Sequence, residues 1–129
     1  NEFFTILENQ LDKLEKFNTH RIKIANIYKK EGLLNYGASM SNFEPIYLRY
    51  PMFSIKPVHI IEKCKKHNIY IGNWYQSVLA PAKNRLDKFG YYYGMCPNAE
   101  KLALGSYNLP TNINTSVEDA RLIADIIKK

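Results

Sequence analysis

The sequence predicts an α+β fold: a two-layer sandwich in which a small, mainly antiparallel sheet of about three strands packs on helices, behind a long N-terminal helix. Three observations carry that expectation. Apolar residues recur at three- and four-residue steps near both ends of the chain, which is the helical period. Between those ends, short runs rich in β-branched and aromatic residues are each cut off by proline or glycine, as strands are. So few crossovers cannot cover the strands on both faces, which leaves the helices to one layer.

The first helix is expected over residues 3–31, with Leu7, Leu11, Leu14, Phe17, Ile24 and Tyr28 on one stripe. Gly32 ends it, because glycine takes the left-handed C′ conformation readily. At ~1.5 Å per residue this helix would run about 43 Å, the reach of a connector between two bodies or of a long member of a bundle. Residues 33–44, with Asn35, Gly37, Ser39, Ser41 and Asn42, read as loop. Ile46 to Tyr50, between Pro45 and Pro51, reads as a strand that Met52 and Phe53 extend past an edge or bulge. Pro57 opens a second helix, with Val58, Ile60, Ile61 and Cys64 on its buried face and Lys63, Lys65 and Lys66 on its wet one. Ile69 to Ile71 is the next strand, interrupted by Gly72.

Residues 76–95 show little periodicity and hold the run Tyr91-Tyr92-Tyr93, a pattern more often found in functional loops and interfaces than in scaffold. Pro97 then starts a short helix that Gly105 stops, and Tyr107 to Leu109 form a strand closed by Pro110. A capping box, read as Thr115 with Glu118, opens the last helix. Val117, Ala120, Ile123, Ala124 and Ile127 form its apolar stripe, and Lys128 and Lys129 sit at the negative end of its dipole. The chain reads as a single domain over 1–129, with 1–31 as a connecting helix and 45–129 as an α+β small domain.

Composition narrows the function classes. Hydrophobic residues make up 46% of the chain, enough for a core and too many for a disordered segment. Cys64 and Cys96 make no dense framework and no CxxC pair, which points to a reduced, cytoplasmic protein rather than to a disulfide between them. No apolar run is long enough to span a bilayer, and no membrane partner is expected. Phe3 and Phe4 are flanked by acids rather than bases, unlike a signal peptide, and a start at Asn1 without methionine is what a processed or trimmed chain has. The net charge of +6 raises nucleic acid as a partner, but the lysines are scattered over water-facing helix positions and no binding motif accompanies them. A solvated face is the expectation, not nucleic-acid binding.

The residues that do chemistry elsewhere are dispersed here. His20, His59 and His67 lack metal-site spacing; Cys64 and His67 could share a helix face, but two ligands make no shell, so no metal site is assigned. There is no phosphate-cradling glycine loop, no GxSxG and no nucleophile motif around either cysteine. No catalytic residue is assigned to the chain. The segment Ile71-Gly72-Asn73-Trp74-Tyr75-Gln76 is different: a glycine that lets the backbone bulge, then the chain's one tryptophan and a tyrosine, just before the irregular stretch. Aromatics with polar tips line wet pockets and interfaces. Asn73, Trp74 and Tyr75 are therefore the candidate substrate-binding residues. Two readings of Trp74 stand, one as a plug between sheet and helices and one as a group facing the site.

Over nearly its full length the chain resembles the C-terminal part of DegT/StrS aminotransferases. The resemblance is carried by an ordered set of short matches. Gln10-Leu11-Asp12-Lys13-Leu14-Glu15-Lys16-Phe17 with Arg21, Ile24, Ala25 and Tyr28 match the opening helix of that region, and Leu48-Arg49-Tyr50-Pro51 its first strand. Asn68-Ile69 and Trp74-Tyr75 follow in order, then Pro97-Asn98-Ala99-Glu100-Lys101-Leu102-Ala103, then Asn108-Leu109-Pro110 and Glu118-Asp119. The chain departs from the pattern at Trp74, where the family often has histidine, and at Val78-Leu79-Ala80-Pro81, which lacks one. The resemblance implies the C-terminal domain of the aspartate-aminotransferase-like fold. It also implies a parent enzyme, a homodimer that uses pyridoxal phosphate to move an amino group, commonly from glutamate, onto a keto-sugar or sugar nucleotide. The cofactor's lysine and most phosphate ligands would lie in a missing N-terminal domain, so no pyridoxal phosphate is expected on this chain alone. The other reading is a non-catalytic interaction module that uses its basic surface.

Overall fold

The computed structural model of the protein describes residues 2–35, 45–73, 75–80 and 85–129. It is α+β, with a small two-stranded antiparallel sheet. The helices are α1 (Glu2–Leu11), α2 (Leu14–Lys30), α3 (Pro57–Lys66), α4 (Pro97–Gly105) and α5 (Val117–Lys128); the strands are β1 (Tyr50–Phe53) and β2 (Ser106–Leu109), and a 3-10 turn spans Leu86–Phe89. The chain divides into two compact units, Asn1–Tyr50 with Pro110–Lys129, and Pro51–Leu109.

In the first unit the long N-terminal helix comes as two pieces rather than one. The hydrogen bond from the Lys13 N–H reaches only to Gln10, a tighter turn than the α ladder, and the helix resumes at Leu14. The apolar stripe is split as well, though within α2, after Leu14. Ile24, Ala25 and Tyr28 are fully buried, whereas Leu7, Leu11 and Leu14 are exposed. α2 ends on a Schellman motif: Gly32 sits at φ 79°, its N–H bonds to the Lys29 carbonyl, and the Leu33 N–H bonds to Tyr28. Leu33, the apolar residue after the turn, is buried. α2 packs against α5, whose Ala120, Ile123, Ala124 and Ile126 form the other half of this core.

Tyr28, Tyr47 and Tyr50 complete that core, with ring centroids 5.2 Å apart for Tyr28–Tyr50 and 5.7 Å for Tyr47–Tyr50. Each of two buried hydroxyls finds a carbonyl: Tyr28 donates to Pro110 at 2.8 Å and Tyr50 to Leu33 at 2.6 Å. The strand expected from Ile46 starts only at Tyr50. Tyr47 stands at φ 51°, in the left-handed region that no strand passes through, and the buried Thr111 hydroxyl holds this turn by reaching the carbonyls of Tyr47 and Leu48 at 2.7 and 3.0 Å. The cap of α5 is one residue later than the sequence suggests. Ser116 accepts from the Asp119 N–H and Asp119 accepts from the Ser116 N–H, while Thr115 is buried. Thr115 is held in that position through its carbonyl, which with the Asn112 carbonyl lies 3.0–3.1 Å from His20 Nε2. Because a carbonyl can only accept, Nε2 carries the proton.

The second unit pairs β1 with β2, and Pro51 is tolerated because β1 is an edge. The expected third strand shrinks to one antiparallel bridge, with N–H···O bonds in both directions between Gly72 and Asn108. The physical reason is the end of α3. Asn68, at φ 59°, closes a second Schellman motif in which the Ile69 N–H bonds back to Cys64, so it cannot join a ladder. On α3, Pro57 and Cys64 are buried, Ile60 and Ile61 half-buried, and Val58, expected inside, is exposed.

α4 ends where it meets β1. The Ser54 N–H donates to the Gly105 carbonyl at 3.0 Å. A Cβ on residue 105 would run into the Phe53 ring and stand 2.7 Å from the Ser54 carbonyl oxygen. Gly105→Ala is therefore expected to cost about 2 kcal/mol. Overpacking of up to about 3 kcal/mol outweighs the ~1 kcal/mol that alanine returns as helix propensity. Chemical denaturation of the variant measures it, and an unchanged or raised stability would refute the close approach.

Candidate functional site

The candidate site follows from the single bridge. Gly72 anchors the chain to Asn108, and the next residues leave the sheet. Asn73 is half-buried, and its carbonyl accepts a long 3.5 Å hydrogen bond from Gln76 Nε2. Trp74 lies outside the described residues. Tyr75 is 66% exposed and sits at φ 62°. A bulky residue in the left-handed region is a strained position of a kind that clusters at functional sites. Asn73 and Tyr75 thus stand at the sheet end, one half-buried and one presenting a phenol to solvent. Such a pair can hydrogen-bond and stack on a ligand.

A second polar arrangement was not foreseen as such in the sequence. Tyr91 donates to Glu100 Oε1 at 2.6 Å, and the Gly94 N–H donates to the same oxygen at 2.7 Å. The Tyr91 hydroxyl and the Gly94 amide hold the Glu100 carboxyl below its ordinary range. Partial burial and then this carboxylate push the Tyr91 hydroxyl up to about 12. Glu100 therefore folds the tyrosine-rich turn back onto α4. The available signal was the pairing of a glycine in a turn with an acid in the first turn of the following helix.

The remaining candidates are separate. Among the described residues no three His, Cys, Asp or Glu side chains cluster as a metal site. Cys64 is buried and Cys96 exposed, both free thiols, and burial pushes the Cys64 thiol up from its ordinary value. No described helix is long and apolar enough to cross a membrane.

The fold has a counterpart among solved structures. The chain is similar in fold to S. venezuelae DesV, seen in an X-ray crystal structure in complex with a ketimine intermediate. The TM-score is 0.83 at 19% sequence identity, over 95% of this chain and 34% of that one. The chain thus spans about a third of the length of that relative. No curated protein matches by sequence. The model of the DegT/DnrJ/EryC1/StrS aminotransferase family matches residues 4–128. A match over all but the last residue and the first few leaves one assignment: the chain belongs to the DegT/DnrJ/EryC1/StrS aminotransferase family.

Proposed function

We propose that this chain is the C-terminal small domain of a pyridoxal-phosphate-dependent aminotransferase acting on a keto-sugar or sugar nucleotide, with the cofactor-bearing half in residues N-terminal to it. The observation that carries this reading is α1. None of its residues is buried, although Phe3 is 82%, Phe4 65%, Ile6 60%, Leu7 53% and Leu11 57% exposed. So large an apolar surface on one helix is a surface made to be covered. The length of the DesV chain beyond the matched third supplies the scale of what would cover it.

The fit of the cofactor can be judged on the lysines, since pyridoxal phosphate bonds its enzyme through an amine withdrawn from water. Every described lysine is exposed except the half-buried Lys63. The described residues do not fit the group, and its chemistry belongs to the covering half. In that whole protein, a cytoplasmic homodimer, Asn73, Trp74 and Tyr75 border the substrate side of a cleft that the N-terminal half closes. Their work is to position the sugar and exclude water. The test is retention of cofactor after desalting. This chain alone is expected to keep no pyridoxal phosphate absorbance, while the protein extended N-terminally keeps it stoichiometrically. Stoichiometric retention by the present chain would overturn the reading.

A further inference from the structure

The net charge is divided unevenly along the chain. Residues Pro51–Leu109 hold eight Lys and Arg against three Asp and Glu, which is +5 of the total +6. Two of those three acids are already engaged, Glu100 with Tyr91 and Gly94 and Asp87 with Arg85. Part of this cationic unit is an open groove of about 590 Å³ floored by Ile55, Pro57, Val58 and Leu104. A smaller one of about 180 Å³ continues it along Phe53 and shares Ile55 and Leu104. Ile55 is 86% exposed, Leu104 71% and Val58 57%. Three aliphatic side chains so exposed around one concavity form a patch of the kind that marks an interaction site.

The rim has a definite sign. Lys56 and His59 stand at the first groove and Lys101 at the second, against the single acid Glu62. α3 begins here with no acid in its first turn and no side-chain cap, so its dipole adds to the positive potential.

We propose that this groove docks an acidic, apolar segment of a partner protein. Its aliphatic or aromatic residues seat against Ile55, Val58 and Leu104, and its carboxylates pair with Lys56 and Lys101. Charge complementarity chooses the sign of the partner, and the apolar floor supplies the desolvated contact that holds it. A nucleic acid would ask for cations along a backbone track with several aromatic faces to stack on, whereas Phe53 is the one phenyl ring here and the floor is otherwise aliphatic. A second copy of the same groove would set lysine against lysine. The groove belongs to the second unit and α1 to the first. The N-terminally extended protein is expected to bind the same peptides; loss of all of them there would overturn the proposal.

The test is to pan a display library of short peptides against the 129-residue chain. Enriched peptides are expected to carry Asp or Glu beside Leu, Ile or Phe. Their affinity should fall about tenfold or more in the K56E/K101E double variant and again in I55S/L104S. As surface changes, both should leave the melting temperature close to that of the parent. Replacing the peptide's acids by lysine should abolish binding to the unchanged protein, a readout that needs no protein variant. The proposal fails if no peptide is enriched, or if enriched peptides bind both double variants undiminished. It also fails if a single-stranded oligonucleotide occupies the groove in their place, or if the chain self-associates in sedimentation and I55S/L104S abolishes that association.

Discussion

Between about pH 10 and 12 the protein is expected to lose several kcal/mol of stability, because two buried tyrosines must ionise against their surroundings. Burial, then the neighbouring Tyr47, pushes the Tyr50 hydroxyl up to about 12, and burial, then the nearby Cys64, does the same to Tyr107. A phenol whose folded value is raised favours folding fully below its unfolded value of 10.0, and the contribution disappears as pH rises toward the folded value. A rise from 10.0 to about 12 is worth roughly 2–3 kcal/mol for each residue. Tyr91 adds in the same direction but is more open to solvent, so its share is smaller. Urea unfolding at a series of alkaline pH values measures the slope. Tyr50→Phe isolates one component: it loses the hydrogen bond to Leu33, costing about 1 kcal/mol at neutral pH, and flattens part of the alkaline limb. A stability that stays level to pH 12 would show that these phenols are not withdrawn from water.

Ile123→Ala is expected to cost about 3 kcal/mol. Ile123 is 1% exposed on the face of α5 that meets α2. Its removal forfeits the transfer free energy of the lost methyl groups and leaves a void between two helices that are already close. The neighbouring Leu122 is 45% exposed, and Leu122→Ala should change stability by no more than about 0.5 kcal/mol. The contrast between adjacent positions is the measurement. Equal effects at Ile123 and Leu122 would mean that the buried face of α5 has been misplaced.

What could be read from the sequence alone follows from how local the cause is. Gly32 ends its helix through its own backbone freedom, Gly105 stops α4 where only a residue without a Cβ fits against Phe53, Pro57 and Pro97 begin helices, and the stripe on α5 needs only helical periodicity. Those features stand where residue type and spacing put them, except that α5 buries Ile126 while Val117 and Ile127 are only half-buried. The strand before Tyr50 was not legible, because it is lost to a hydroxyl sixty-odd residues away, on Thr111. The capping box slid from Thr115 to Ser116 for a similar reason: His20, on another helix, holds the carbonyl of Thr115 and turns that residue inward. Ile69 met the opposite difficulty, a strong strand former whose amide is taken by the end of the preceding helix. At the candidate site, the bridge at Gly72 fits the glycine that singled out the segment, while the left-handed Tyr75 has no signature in residue type. The groove was hidden because Val58 has helical spacing for the inside and yet faces out.

The two thiols give the molecule a built-in reporter. Cys96 is exposed and should take a maleimide at once, while Cys64, closed off and with its thiolate disfavoured, should wait for an opening event. The delay before that second label is a clock for transient breathing around α3. Timed with and without a peptide in the neighbouring groove, it would report occupancy as slower labelling, with no probe attached to the groove itself.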